Sequence, residues 1–252
     1  VGYSKLVIAW GADTIRPPLS GNGLDHVYSV NDLLDYGDFR AAIRNNDVKK
    51  VLIIGAGLIG CEFTNDLSNG GIAVEAVDPL GWCLPTLLPE PAGRAVQAAL
   101  EARGAKFHFG ALVSAVNLGP DGKGIVATLN DGRTIAADLA VSAIGVRPRL
   151  ELARVAGITV NRGVVGNRLL QTSAPDVYVL GDCAEIEGHV LYYVAPLMAG
   201  ARALAKTLTG TPTEVGYPAM PVTIKTPACP VVVSPPPVGA AGAWTISGSS
   251  PD

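Results

Sequence analysis

Val51-Leu52-Ile53-Ile54-Gly55-Ala56-Gly57-Leu58-Ile59-Gly60 decides the fold of this chain. Lys49-Lys50 lead into the apolar run 51–54, and an unbroken aliphatic run of that kind fits a parallel strand buried on both faces. Three glycines in the spacing Gly-x-Gly-x-x-Gly follow at once. Gly55 permits a tight turn, Gly57 lets the backbone approach a pyrophosphate, and Gly60 lets a helix pack closely on the strand. A helix is expected over 58–68, stopped by Gly70-Gly71, with a second strand over 72–77. Strand, turn, helix and strand within one βαβ length give an otherwise weak pattern its meaning. Gly55, Gly57, Leu58, Ile59 and Gly60 are therefore candidate nucleotide contacts, with the pyrophosphate on free N–H groups at the positive helix end. The alternative is a glycine turn in an α/β domain that binds no nucleotide.

Asp78 closes the second strand, about twenty residues on, where a carboxylate accepts the adenosine ribose hydroxyls. No Lys or Arg separates it from Arg94. A 2′-phosphate wants a cation there, so NADH is expected over NADPH. An ordinary acid of a surface βα loop is the alternative for Asp78. Glu75 is a rival acid, but strand alternation places it on the opposite face.

Outward from this unit, 252 residues with 48% apolar and 16% charged residues leave room for one or two packed domains. That balance excludes a disordered chain. A net charge of −3 shows no basic excess, so nucleic acid is not an expected partner. Cys61, Cys83, Cys183 and Cys229 are far apart and form no C-x-x-C, which excludes a close zinc knuckle and a local redox dithiol. A disulfide framework is not expected either, and a reducing cytoplasm fits. The long uncharged stretch 226–251 is broken by Pro and Gly, so no membrane helix is expected. His26, His108 and His189 are scattered and receive no role.

A strand is expected over 6–9, ended by Gly11. Pro17-Pro18 and Ser20-Gly21-Asn22-Gly23 make a linker. Asn31 is placed to cap a helix carrying Leu33, Leu34, Tyr36, Phe39 and Ile43. A helix over 90–103 precedes short strands over 106–145, with hairpin turns at Asp121-Gly122 and Asp131-Gly132 and an apolar strand over 139–144. A strand over 176–180 ends at Gly181-Asp182, and a helix spans 197–208. The Pro- and Val-rich tail reads as edge strands and loops, with Pro235-Pro236-Pro237 as a connection. The buried strand so close to Val1 suggests part of something longer.

Leu6-Val7-Ile8-Ala9-Trp10-Gly11-Ala12, the glycine motif, Ser142-Ala143-Ile144-Gly145-Val146-Arg147-Pro148 and Val177-Tyr178-Val179-Leu180-Gly181-Asp182-Cys183-Ala184 together resemble the FAD-dependent pyridine-nucleotide oxidoreductases. The resemblance implies an α/β chain with two Rossmann-like dinucleotide-binding domains, an NAD domain inserted in an FAD domain. Residues 1–15 would be an FAD segment, 16–145 the NAD domain, 146–215 the second FAD part and 216–252 the start of a C-terminal α+β domain. The family's first FAD unit would lie upstream of Val1 and the C-terminal domain would be cut short after Asp252. The FAD domain would then be incomplete, and the isolated chain is expected to bind NADH weakly and to hold FAD poorly. Trp10 departs from the usual threonine.

The same resemblance implies roles for single residues. Asp182, after Gly181, would hydrogen-bond the flavin ribityl chain. Gly11, Gly145 and Val194 would lie against the cofactors, with the N-terminus of the helix over 197–208 facing the flavin pyrimidine. Glu62 would approach the nicotinamide, and Lys225 would stabilise charge on the reduced flavin; these two are the catalytic candidates. A capped turn for Asp182, a helix-surface acid for Glu62 and a solvated lysine for Lys225 are the alternatives.

Tyr193-Val194-Ala195-Pro196-Leu197-Met198, Met220-Pro221-Val222-Thr223-Ile224-Lys225-Thr226-Pro227-Ala228-Cys229-Pro230, Cys61-Glu62-Phe63 and Asn65-Asp66-Leu67 resemble the rubredoxin-reducing branch of that family. This implies a flavoprotein of electron transport, using NADH and FAD to pass single electrons to rubredoxin; such reductases commonly feed alkane hydroxylation. Docking of an acidic iron protein would use a local basic patch. A ferredoxin reductase and a nitrite-reductase flavin subunit share the core motifs and stay open. A thioredoxin reductase is excluded, because residues 27–50 hold no cysteine. Glutathione-reductase-like enzymes place their dithiol upstream, and the tail shows no sign of their dimerisation domain. From another class, a non-catalytic NAD-binding module remains.

Overall fold

In the computed structural model, which describes residues 2–236, 240–245 and 247, the aliphatic run 51–54 lies in the middle of a five-stranded parallel sheet. The elements run β1 (Leu6–Ile8), β2 (Ala12–Thr14), β3 (Val27–Tyr28), α1 (Leu33–Asn45), β4 (Lys50–Ile54), α2 (Leu58–Asn69), β5 (Ala73–Asp78), α3 (Glu90–Glu101) and β6 (Lys106–Phe109). Then come β7 (Val113–Leu118), β8 (Ile125–Leu129), β9 (Thr134–Ala137), β10 (Leu139–Ser142), β11 (Val146–Pro148), α4 (Glu151–Val155), β12 (Val164–Gly166), β13 (Val177–Val179), β14 (Ala184–Ile186), α5 (Val194–Leu208), β15 (Val222–Ile224) and β16 (Val231–Val233). They form two units. A glycine-turn unit holds residues 18–29, 34–143 and 223–252, and a flanking unit holds 1–17, 30–33 and 144–222.

In the glycine-turn unit the parallel sheet has the order β3-β10-β4-β5-β6. Val51, Leu52 and Ile53 are fully buried, as a strand covered on both faces requires. Leu52, Ile54, Val77 and Ala140 pack with Val116, Ile125 and Leu129 of the antiparallel meander β7-β8-β9. Each Val, Leu or Ile among them contributes about 1.5–3 kcal/mol of burial. The ring of Phe39 on α1 meets Tyr28 and Phe63 edge-on, at centroid distances of 5.9 and 5.5 Å. The apolar face expected for α1 is narrower than its sequence suggests. Phe39 and Ala42 are its buried residues, while Leu33 and Leu34 are 81% and 79% exposed.

In the flanking unit β1 pairs in parallel with β13, Ile8 opposite Val179. β2 pairs antiparallel with β11, and β12 in parallel with β14. Ile8, Val164, Leu170, Val179, Ile186 and Leu204 form its core. The helix expected over 197–208 begins three residues earlier, at Val194. Pro196 lies in its first turn, where the missing N–H has no helical partner to lose, so the proline does not mark the boundary. The tail forms the expected strands, β15 paired with β16. Pro237, the end of the expected proline connection, and the C-terminal Asp252 lie outside the described residues. Among the described residues no helix is long and apolar enough to cross a membrane.

Candidate functional site

The glycine turn is built as its sequence requires. Gly55 sits at φ 106°, a region that disfavours any side chain. Gly60 touches the turn itself: a Cβ there would lie 1.9 Å from the Gly55 carbonyl oxygen. Gly57 is different. A Cβ there would meet nothing within 4 Å, and Gly57 caps α2 with no side-chain hydrogen bond. The backbone at Gly57 thus has open space beside it at the positive end of α2, next to Leu58 and the half-exposed Ile59, where the first-turn N–H groups lack helical partners. That cradle fits a dinucleotide pyrophosphate.

The sheet order places the turn where strand order reverses, with β4 and β10 adjacent and Ser142 in register with Ile54. α/β sheets bind ligands outside the carboxyl ends of strands at such a point. Ser142 is 5% exposed and its Oγ has no hydrogen-bond partner. The sequence gives Ser142 no role beyond its place in a family-like segment, because only the register sets this polar end of an apolar strand beside the turn.

Asp78 lies beneath the turn. Its Oδ2 accepts the Ala56 N–H at 2.7 Å and its Oδ1 accepts the Leu80 N–H at 2.8 Å. The carboxylate therefore braces the glycine turn, and its remaining lone pairs are free for hydroxyl donors. Glu75 is committed elsewhere, to Lys50 Nζ and His108 Nε2, both at 2.7 Å. Burial alone would raise its pKa, but the bonds from Lys50 and His108 outweigh burial and hold it below the usual glutamate value. His108, given no role from sequence, is thus a partner of Glu75. Cys61 and Cys83, far apart in sequence, meet beside the turn. Cys61 Sγ contacts the Ala56 carbonyl at 3.3 Å. The hydrogen bond with Cys61, together with burial, pushes the Cys83 thiol far up.

Glu62 and Lys225 come together through the main chain: Glu62 Oε1 accepts the Lys225 N–H at 2.9 Å. The Lys225 side chain is exposed. It is the one Lys or Arg in residues 214–252, so this segment contains no cluster of cations.

The flanking unit gathers the second set. β1 and β13 run side by side, so Gly11 and Gly181-Asp182 follow the carboxyl ends of neighbouring parallel strands. Gly11 and Gly181 have φ of 74° and 81°, and Gly145 has 105° while its carbonyl accepts the Ile15 N–H at 2.9 Å. Burial pushes the Asp182 carboxyl up, and no protein donor reaches it among the described residues. A half-buried acid in that state calls for a hydroxyl donor, which fits a ribityl chain. Val194, exposed, opens α5, whose preceding Tyr193 provides no side-chain cap. An open cleft lies beside Gly181, lined among others by Leu180, Pro196, Leu197 and Tyr217.

Residues 1–203 match the family model described as pyridine nucleotide-disulphide oxidoreductase, and residues 214–252 match the rubredoxin binding C-terminal domain. The chain is 58% identical, over 97% of its length, to a rubredoxin-NAD(+) reductase of Alcanivorax borkumensis, and covers 63% of that protein. It is 46% identical, over 96% of its length, to a rubredoxin-NAD(+) reductase of Acinetobacter baylyi, covering 62% of it. The chain thus spans less than two thirds of either relative. The crystal structure of a ferredoxin reductase from Rhodopseudomonas palustris superposes with a TM-score of 0.80 at 28% identity, covering 86% of this chain and 55% of that one.

Proposed function

The chain belongs to the pyridine nucleotide-disulphide oxidoreductase family, and from that membership we propose that it is part of a cytoplasmic, FAD-dependent NADH:rubredoxin oxidoreductase. One observation carries the reading. The segment matching a rubredoxin binding domain is hydrogen-bonded, at Lys225, to Glu62 on the helix that opens at the nucleotide turn.

In this reading residues 16–145 bind NADH, residues 1–15 and 146–215 contribute to the FAD site, and the rest begins the acceptor domain. Gly55, Gly57, Leu58, Ile59 and Gly60 hold the pyrophosphate, and Asp78 braces the turn and takes the ribose. Asp182 accepts from the ribityl hydroxyls, with Gly11, Gly145 and Gly181 allowing close backbone approach. The start of α5 at Val194 offers N–H groups to a negatively charged ring edge. Glu62 orients the nicotinamide side of the site, and Lys225 supplies a positive charge. FAD, when bound, takes up a hydride from NADH and releases electrons singly.

The test is the full-length protein with NADH and oxidised rubredoxin. Bleaching of rubredoxin at many turnovers is expected. Fast reduction of a ferredoxin without bleaching of rubredoxin would refute the acceptor. Binding of NADH with reduction of neither would make the chain a non-catalytic nucleotide module.

A further inference from the structure

Asn65 is a fully buried polar residue in the interior of α2. Asparagine is a modest helix former, and its amide needs partners when buried. Nothing in the nucleotide turn uses it. Its Oδ1 accepts the Ala228 N–H at 3.1 Å, and its Nδ2 donates to Asp66 Oδ1 at 3.1 Å. Glu62 lies three residues before it on the same helix, and accepts the Lys225 N–H at 2.9 Å. Side chains three apart on a helix are neighbours, and their acceptors meet backbone donors three residues apart in the tail. Between those donors the chain turns at Thr226-Pro227-Ala228-Cys229. The Cys229 N–H reaches the Thr226 carbonyl at 2.9 Å, and Thr226 Oγ1 reaches the Cys229 carbonyl at 2.9 Å. Thr226 is 1% exposed.

We propose that Asn65 is a positioning residue that seats the acceptor-binding segment: with Glu62 it clamps the 225–229 turn onto the nucleotide helix, and so sets the backbone from which Lys225 projects. The acceptor in this statement rests on the rubredoxin-reductase reading; the clamp itself does not. Glu62 alone would leave the turn hinged on one bond. Asn65 supplies the second point, and it does so from a buried site where water competes little for the bond.

The experiment uses the full-length reductase with Asn65→Leu, which keeps the branched shape of the side chain and removes the acceptor, and Asn65→Asp, which restores an acceptor oxygen. Hydrogen exchange of the peptide spanning 223–229 is read without any turnover. Asn65→Leu is expected to speed it about tenfold, the effect of one buried hydrogen bond, with β4 and β5 unchanged; Asn65→Asp is expected to stay nearer wild type. Steady-state kinetics of Asn65→Leu should show KM for rubredoxin raised about tenfold, with KM for NADH and the rate of flavin reduction by NADH within twofold.

Exchange in 223–229 that does not change, or that rises equally across β4 and β5, would overturn the clamp. Faster exchange with an unaltered KM for rubredoxin would overturn the positioning role. If wild type leaves rubredoxin oxidised, the proposed function fails by itself, and the exchange result still decides the clamp.

Discussion

Gly57 and Gly60 belong to one motif, yet their surroundings predict opposite consequences for the same substitution. In Gly60→Ala the new Cβ would lie 1.9 Å from the Gly55 carbonyl oxygen, where ordinary contact begins at 3.4 Å. Helix and turn must therefore part by about 1.5 Å, and the obstacle is main chain that has no rotamer to change. Overpacking costs about 1–3 kcal/mol, and a backbone obstacle sits at the upper end. At about 2–4 °C per kcal/mol for a chain of this size, the melting temperature should fall by about 6–12 °C. In Gly57→Ala the Cβ enters open space, and a φ of −74° suits alanine. The fold loses the small advantage of Gly over Ala at a helix cap, about 1 kcal/mol or less. The pyrophosphate loses its close approach. One hydrogen bond to a charged group is worth about 1.5–3 kcal/mol, so NADH affinity should fall about 10- to 100-fold. Thermal melts and NADH fluorescence titrations of the two full-length variants separate the effects. If Gly57→Ala melts as low as Gly60→Ala, or binds NADH within twofold of wild type, the account of the turn is wrong.

Asp78→Ala removes the acceptor for two backbone N–H groups, so we expect a loss of about 2–4 kcal/mol in urea unfolding alongside weaker NADH binding; a variant of normal stability would show that the brace is idle. Glu75 has a folded pKa below its unfolded one, so its contribution is present above pH 4.5 and is lost as pH falls through the folded value. Glu75→Gln should thus be less stable than wild type near pH 7, by about 1 kcal/mol, and the two unfolding curves should converge on acidification. Asp182→Asn removes a charge that burial disfavours. The apoprotein should melt no lower than wild type while FAD affinity drops about tenfold, the weight of one hydrogen bond to a charged acceptor; equal FAD affinity by flavin fluorescence would take the ribityl role away from Asp182.

The local chemistry of the chain was readable where it depends on neighbours in sequence. The glycine spacing after residues 51–54, the turns at Asp121-Gly122 and Asp131-Gly132, and the strand before Gly181 all rest on steric rules that act within a few residues. What escaped depends on pairing across the chain. Asp78 reads as a ribose ligand at the end of a strand, but its bond to Ala56 exists because β5 lies beside β4. Asn65 reads only as part of a family-like triplet, with no role, until Ala228 is brought to it from more than 160 residues away. Cys61 and Cys83 have no motif spacing and meet only because the loop after β5 folds back to the turn, with the Leu84 N–H on the Ala56 carbonyl. Leu33 and Leu34 satisfied a helical apolar pattern, yet both side chains stay largely exposed. A pattern reports what a face can bury, and not what is present to cover it.

The parallel register of β1 with β13 has a consequence for how the chain is made. Leu6–Ile8 is made well before its partner, since Val177–Val179 follows some 170 residues later. At about 5–20 residues per second, that strand waits about 10–30 s for the β13 edge it pairs with. Residues 34–143 need no such delay, since β4, β5, β6 and β10 are all in hand by Ser142. Most of the glycine-turn unit can therefore fold during synthesis, whereas the flanking unit must close a long loop afterwards. Chaperone dependence and aggregation should accordingly concentrate on β1, and a codon-level pause after residue 143 would favour one unit without helping the other.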